Sequence, residues 1–427
     1  MNSWGRAFLG YLKPAVAVFF FLGFSCGIPY NLVNYSLNLW LKNAATSNEI
    51  IGLFSLVVLP YSLKFLWAPM VDNVRLPFLA KKMGTKRAWG LVFQIGLLLS
   101  VLGLACSNPA NDSWRFHFMK DGTAYAIPLW IYIFALLSSF CAASQDIVVD
   151  ALRIDTLQKK ELGEGSSMYQ YGYRIGMLLS GAGVVALAGL WSWQAAYMIA
   201  GLFVIVGMIA LCFVMVKYLP SAQTAFGLRT LWKPFLQFIQ VHKTWLGILL
   251  FVVLYKVCNA VLGRMVLPFY KEVGFSDNEI SLWSGLIGPW ITMLGAGIGG
   301  VLVMKYKMLK LLWWLGCVEI LTSMAFAGLA VVGYSIPLLC LVIVFDNVVG
   351  GMGGAVFVAY LSSLCDKRYS ATQYAILSSV MAVSTSTIAA YSGFWEKAMG
   401  WPVFFMFTGA LMIPALCLLS YLRYKNA

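Results

Sequence analysis

Histidine is almost absent: there are two in 427 residues, His117 and His242, both in stretches that read as loops. A relay through membrane-buried histidine is thereby excluded, and buried proton traffic falls to carboxylates. Charge is scarce as well, at 11% of residues against 61% hydrophobic. A soluble chain of this size could not present so little charge to water. Paired cysteines are lacking too. The 9 cysteines are odd in number, lie in or beside apolar runs and form no C-x-x-C, which argues against structural disulfides and a metal cage. The glycine run Gly350–Gly354 sits inside an apolar stretch rather than between a strand and a helix, so it does not read as a nucleotide loop. ATP-driven work would need a separate subunit.

What the chain has is apolar length. Runs of about 20 residues predict twelve membrane spans, at about 15–40, 48–70, 88–106, 127–150, 168–189, 195–217, 245–269, 279–303, 310–333, 336–360, 373–393 and 402–422. The expected fold class is an all-α membrane protein. Arg6 and Lys13 precede the first run without a small-residue cleavage pattern, which predicts an uncleaved first helix. A net charge of +14 in a soluble protein would suggest nucleic acid. Here roughly 21 Lys and Arg fall on the side of the termini and about 5 opposite, a positive-inside bias that sets orientation instead. Both termini are expected in the cytoplasm, and a nucleic-acid partner is not.

A weak internal repeat divides the chain. Asn48-Glu49-Ile50 followed by Pro60 recurs as Asn278-Glu279-Ile280 followed by Pro289; Asp146 with Val148-Val149 recurs as Asp346 with Val348-Val349; and Gln170-Tyr171 recurs as Gln373-Tyr374. Three matches in order predict two six-helix bundles, 1–217 and 244–427, joined by a basic cytoplasmic linker at 218–243. This is the layout of the major facilitator fold, in which a solute sits near the midplane between the halves. Breaks at Pro29, Pro60 and Gly288-Pro289 suit helices that face a cavity.

Ionisable groups inside spans cost a few kcal/mol or more, so they are kept where they pair, line water or move a solute. The predicted charge network comprises Lys64, Asp146, Asp150 and Arg174 in the first half, and Lys256, Glu319 and Asp346 in the second. Asp146 and Asp150 are spaced i, i+4, and Asp150 and Arg153 i, i+3, so each pair shares a helix face. Burial favours a neutral carboxyl and a neighbouring cation favours the ionised form, so small shifts in packing could move a proton. The plainer alternative is a set of ion pairs that locks one conformation. Lys256 is expected to find its counter-charge in Asp346, at similar depth. Asn31, Asn34 and Asn38 form a helical polar stripe, and with Gln145, Lys256, Arg264 and Asn347 they are the candidates for solute binding; interhelical bonding is the alternative for the asparagines. Trp40, Trp67, Trp130 and Trp283 read as interfacial anchors.

Several motifs resemble the AmpG-type muropeptide permeases, a major facilitator branch shared with acetyl-coenzyme A transporters. They are Lys64-Phe65-Leu66-Trp67-Ala68-Pro69 with Asp72, Ser144-Gln145-Asp146 through Asp150, Arg153 and Asp155, and Gly172-Tyr173-Arg174. Tyr255-Lys256 with Pro268-Phe269, Asn347 with Gly350-Gly351-Met352-Gly353, and Gln373-Tyr374-Ala375 extend the likeness over nearly the whole chain. The resemblance implies proton-driven uptake of anhydromuropeptides across a bacterial inner membrane, feeding peptidoglycan recycling and beta-lactamase induction. It implies no cofactor beyond the proton gradient, and a monomer in the lipid bilayer. The chain departs from the family at Asn259, where an acid is usual, at Arg264, where a small residue is usual, at Asp346, where Glu is usual, and in its first-span asparagines. Other readings are a transporter of another anionic solute, such as an acyl-coenzyme A, a peptide or a sugar derivative, and a transporter-like sensor. A membrane enzyme fits less well, because the outward loop at about 107–126 offers Asp112, Arg115, His117, Lys120 and Asp121 in no catalytic spacing.

Overall fold

The structure is a computed structural model and describes residues 9–109, 114–120, 123–214 and 228–425. Among the described residues, eleven helices are long and apolar enough to cross a membrane. They are α1 (Pro14–Asn43), α3 (Thr85–Cys106), α4 (Leu129–Thr156), α5 (Leu162–Leu190), α6 (Trp193–Phe213), α7 (Trp245–Val273), α8 (Asp277–Lys305), α9 (Met308–Val332), α10 (Ile336–Leu364), α11 (Lys367–Met399) and α12 (Trp401–Tyr424). At the expected second span lies a shorter apolar helix, α2 (Ile50–Leu66). It is built of short turns of differing pitch, and a further piece, Ala68–Asn73, continues it. Pro60 and Pro69, each at the start of a piece, explain the interruption, since proline removes a donor from the helical ladder.

Several expected loops are shorter than the sequence suggested. The loop expected at 151–167 shrinks to the turn between α4 and α5, because α4 runs on through Asp150, Arg153 and Asp155, whose charges are paired inside the protein. The outward loop at 107–126 contains an antiparallel hairpin, β1 (Arg115–Lys120) with β2 (Thr123–Pro128), in register Arg115↔Pro128. Asp112 and Asp121 lie outside the described residues, as do 215–227, where the boundary between first half and linker was expected. The rest of that linker holds a helix, Leu228–Val241. It is tied to the second half by Gln373 Nε2, which donates to Pro234 O (3.1 Å) and Gln237 Oε1 (2.5 Å).

We call the end of the bundle that carries this helix the linker end, and the opposite one the hairpin end. The repeated Asn-Glu-Ile has a local cause. Both copies open helices at the hairpin end, after the capping serines Ser47 and Ser276, which accept from Ile50 N and Glu279 N. α1 and α5 pack backbone to backbone. A Cβ on Gly23 or Gly27 would strike the carbonyls of Tyr169 or Tyr173, and one on Gly172 would strike that of Phe20. Wide turns at Leu32–Ser36 and Leu179–Gly183 meet in this seam, where Ser36 Oγ donates to Ser180 O at 2.6 Å. Trp40 and Trp67 are packed within the bundle. Trp40 is buried on Trp193, and Trp67 donates to Ser144 Oγ at 2.9 Å, whereas Trp130 is exposed and stacked on Trp114.

Candidate functional site

The two halves are joined at the linker end by a buried charge clamp. Asp72, just past α2, accepts from Thr372 N (2.8 Å), Thr372 Oγ1 (2.7 Å) and Ala371 N (3.3 Å), all in the first turns of α11. Lys86, at the start of α3, lies 3.3 Å from Asp72 and 2.8 Å from Asp155. It also donates to Ser370 Oγ at 2.6 Å, and Ser370 in turn donates to Asp155 at 2.8 Å. A carboxylate at a helix N-terminus meets free N–H groups and the positive end of the helix dipole, so Asp72 holds α11 against the first half. Beside this, Ser167 Oγ on α5 donates to Ala296 O on α8 at 2.6 Å, and Tyr11 donates to Gly297 O. The contact of Lys86 with the second half, through Ser370, spans 284 positions.

Arg153 is fully buried where the halves meet. It pairs with Asp150 at 2.8 Å, donates to Ser362 Oγ at 3.3 Å and lies 5.4 Å from the rings of Tyr169 and Tyr374. The expected pairing of Arg174 with a first-half carboxylate is therefore not formed: Asp150 is taken by Arg153, and Arg174 has no ion pair within 4 Å among the described residues. At the rim, Lys13 donates to Glu161 at 2.7 Å, and that carboxylate pushes the Lys13 ammonium up from its ordinary value. Half-exposed, this pair contributes little.

Deeper in the first half, Asp146 accepts from Tyr169 Oη at 3.3 Å and interacts through charge with Lys64, which is buried and makes no closer pair. Asp146 is about ten residues from Thr156, roughly 15 Å along α4, deeper than its place near the end of the expected span. Gln145 is buried between α4 and α1, donating to Ser25 Oγ at 3.1 Å and to Cys26 Sγ at 3.4 Å.

In the second half the carboxylate whose charge reaches Lys256 is Glu319 rather than Asp346, although the two form no ion pair within 4 Å. α7 and α9 bring the two together. Asn259, one turn along α7, donates to Glu319 Oε1 at 2.9 Å and so fills the place of the missing acid. Glu319 Oε2 is buried without a hydrogen-bond partner among the described residues, and Lys256 Nζ lies 5.1 Å above the Phe357 ring. Asp346 has no ion pair within 4 Å among the described residues. Its neighbour Asn347 is engaged in helix packing, accepting from Thr292 Oγ1 at 2.6 Å.

The asparagine stripe is partly structural. Asn31 donates across to Met177 O at 2.9 Å, whereas Asn34 and Asn38 return to carbonyls of their own helix, Tyr30 and Asn34. Arg264 is exposed, about two turns from Lys256 toward the hairpin end. Taken together, mid-helix cations without close partners, carboxylates at matching depth in both halves and a clamp at one end suit a charged solute path rather than a catalytic centre.

The acetyl-coenzyme A transporter 1 family model matches residues 14–198. A putative transporter, AmpG 4, of Rickettsia conorii is 33% identical over 95% of this chain and 96% of its own. The anhydromuropeptide permease of Escherichia coli is 32% identical over 97% of this chain and 80% of its own. Among solved structures, the human organic anion transporter TETRAN superposes with a TM-score of 0.64 at 15% identity, covering 98% of this chain and 100% of its own. The proton:xylose symporter XylE gives 0.64 at 13% identity, covering 98% and 96%. These two likenesses concern the fold alone.

Proposed function

The chain belongs to the AmpG family of the major facilitator superfamily, and from that premise we propose that it imports anhydromuropeptides from periplasm to cytoplasm, across a bacterial inner membrane, in symport with protons. The observation that carries this reading is the similarity, over 97% of this chain, to an anhydromuropeptide permease. The basic linker end is taken as the cytoplasmic side, with both termini there. The clamped arrangement is then the state that receives solute from the periplasm.

The side chains supply a rationale for each part of the cycle. Arg174 and Arg264 form no ion pair within 4 Å among the described residues, and Lys64 and Lys256 meet the charges of Asp146 and Glu319 only at longer range, so all four can turn to the carboxylates of a peptide-bearing sugar. Asp146, Glu319 and Asp346 are the groups that would take up and release the proton. Protonation removes the buried charge that a solute cation site otherwise has to balance, which lowers the cost of moving the halves. No bond of the solute is broken, and no cofactor is required.

A second reading has its own support. The family model over 14–198 describes an acetyl-coenzyme A transporter, and an acyl-coenzyme A is also a large anion. The test is uptake of radiolabelled anhydromuropeptide, free disaccharide and acetyl-coenzyme A into membrane vesicles expressing the chain. Preference for the anhydromuropeptide supports the first reading. Preference for the coenzyme A ester would replace it with the second.

A further inference from the structure

We propose that a pocket at the linker end is a binding site for a phosphate-bearing anion, presented either as a lipid headgroup or free in solution. The pocket has a volume of about 670 Å³ and lies between the turn after α4, the start of α9 and the ends of α10 and α12. Lys159, Lys307, Lys310 and Arg423 line it. None of the four has a carboxylate within 4 Å among the described residues. The acid nearest in sequence to Lys159, Glu161, is engaged by Lys13. Four cations left to share one concavity repel one another unless an anion joins them. α9 begins at the same place, with Lys307 at its N-cap, so unpaired N–H groups and the positive end of a 25-residue helix add to the field.

The rest of the lining suits an amphiphile. Met308 and the buried Tyr360 supply apolar wall, and Trp314, 57% exposed, and Tyr424, 85% exposed, set this level at a membrane interface. The pocket also crosses the seam: Lys159 comes from the first half and the other three cations from the second. It is complete only while the linker end is closed, so its ligand would favour that state over the open one. None of its residues belongs to the charge sites described above. The site therefore stands whether or not the solute is an anhydromuropeptide.

The experiment uses the full chain in detergent, with phosphatidylglycerol, phosphatidylcholine and inorganic phosphate as probes. Thermal unfolding is followed by tryptophan fluorescence, and lipid retention by native mass spectrometry. The fourfold variant Lys159→Gln, Lys307→Gln, Lys310→Gln, Arg423→Gln is compared with Lys81→Gln, Lys82→Gln, basic residues of the same end outside the pocket. Near a membrane surface each basic residue contributes about fivefold in affinity, so with these exposed side chains the fourfold variant should bind at least ~tenfold more weakly. The expected result is that phosphatidylglycerol raises the melting temperature of the native chain and of the control, more than phosphatidylcholine does, and that the fourfold variant loses the rise. Stabilisation by the lipid alone identifies a headgroup; equal stabilisation by inorganic phosphate, competing with the lipid, identifies a soluble anion. The proposal is overturned if the native chain responds to neither anion, or if the fourfold variant responds as the native chain does.

Discussion

Asp146 was visible in the sequence because a carboxylate in an apolar run stands out against its neighbours. Its surroundings make it a stronger candidate: it is buried, bonded by a tyrosine and within reach of the charge of Lys64. Asp146→Asn keeps the volume and hydrogen-bonding reach but cannot exchange the proton. Uptake should fall by about tenfold or more, a loss of at least ~1.4 kcal/mol in transport, while the amount of folded protein in the membrane stays near normal. Paired uptake and immunoblot measurements check this, and normal uptake would leave Asp146 a structural cap. Lys256 was equally visible, but its partner was not. Spacing along one helix cannot choose between carboxylates on two others, and depth alone pointed to Asp346 where the structure brings Glu319. Breaking a close buried pair costs about 3–5 kcal/mol, and these two charges, which form no ion pair within 4 Å, should be coupled by less than that. Lys256→Met and Glu319→Gln should each reduce folded protein, and the double variant should recover it. Fluorescence size-exclusion profiles of the three variants test this; a double variant no better than the singles would show that the two charges are not coupled.

At the scale of elements, the legible part was the apolar run and the illegible part its ends. Helix α4 continues past its hydrophobic stretch because the charges there are paired within the bundle, and hydropathy counts such residues as loop. The hairpin was also overlooked, although Arg115-Phe116-His117-Phe118-Met119-Lys120 alternates in part in the manner of a strand. The clamp could not be read at all, since Asp72 and Thr372 are separated by 300 positions. It makes its own prediction. Asp72→Asn loses the charge that meets the α11 N-terminus and should weaken linker-end closure by about 1–2 kcal/mol. Spin labels at the exposed Lys160 and Tyr306, one on each half, report on this. Their distance distribution should shift to longer values in Asp72→Asn; an unchanged distribution would mean that the α5–α8 contacts alone hold the end shut.

For the whole molecule, the apolar runs and the internal repeat were enough to anticipate an all-α membrane protein with the major facilitator fold. The repeat is legible because its best-kept tripeptide opens a capped helix in both halves. What the repeat cannot convey is asymmetry. The first half holds Asp150 against Arg153 and sets Asp146 in the field of Lys64, while the second sets Glu319 in the field of Lys256 with Asn259 as a neutral support. The two halves thus carry different candidate proton sites on one architecture, and the central claim is that one or both couple a proton to solute entry. Accumulation of labelled anhydromuropeptide in proteoliposomes of the purified chain, with an acid-outside pH gradient imposed and then collapsed by a protonophore, tests this most directly. The account predicts accumulation above the external concentration that vanishes when the gradient is collapsed. Entry that only equilibrates, unaffected by the gradient, would contradict it.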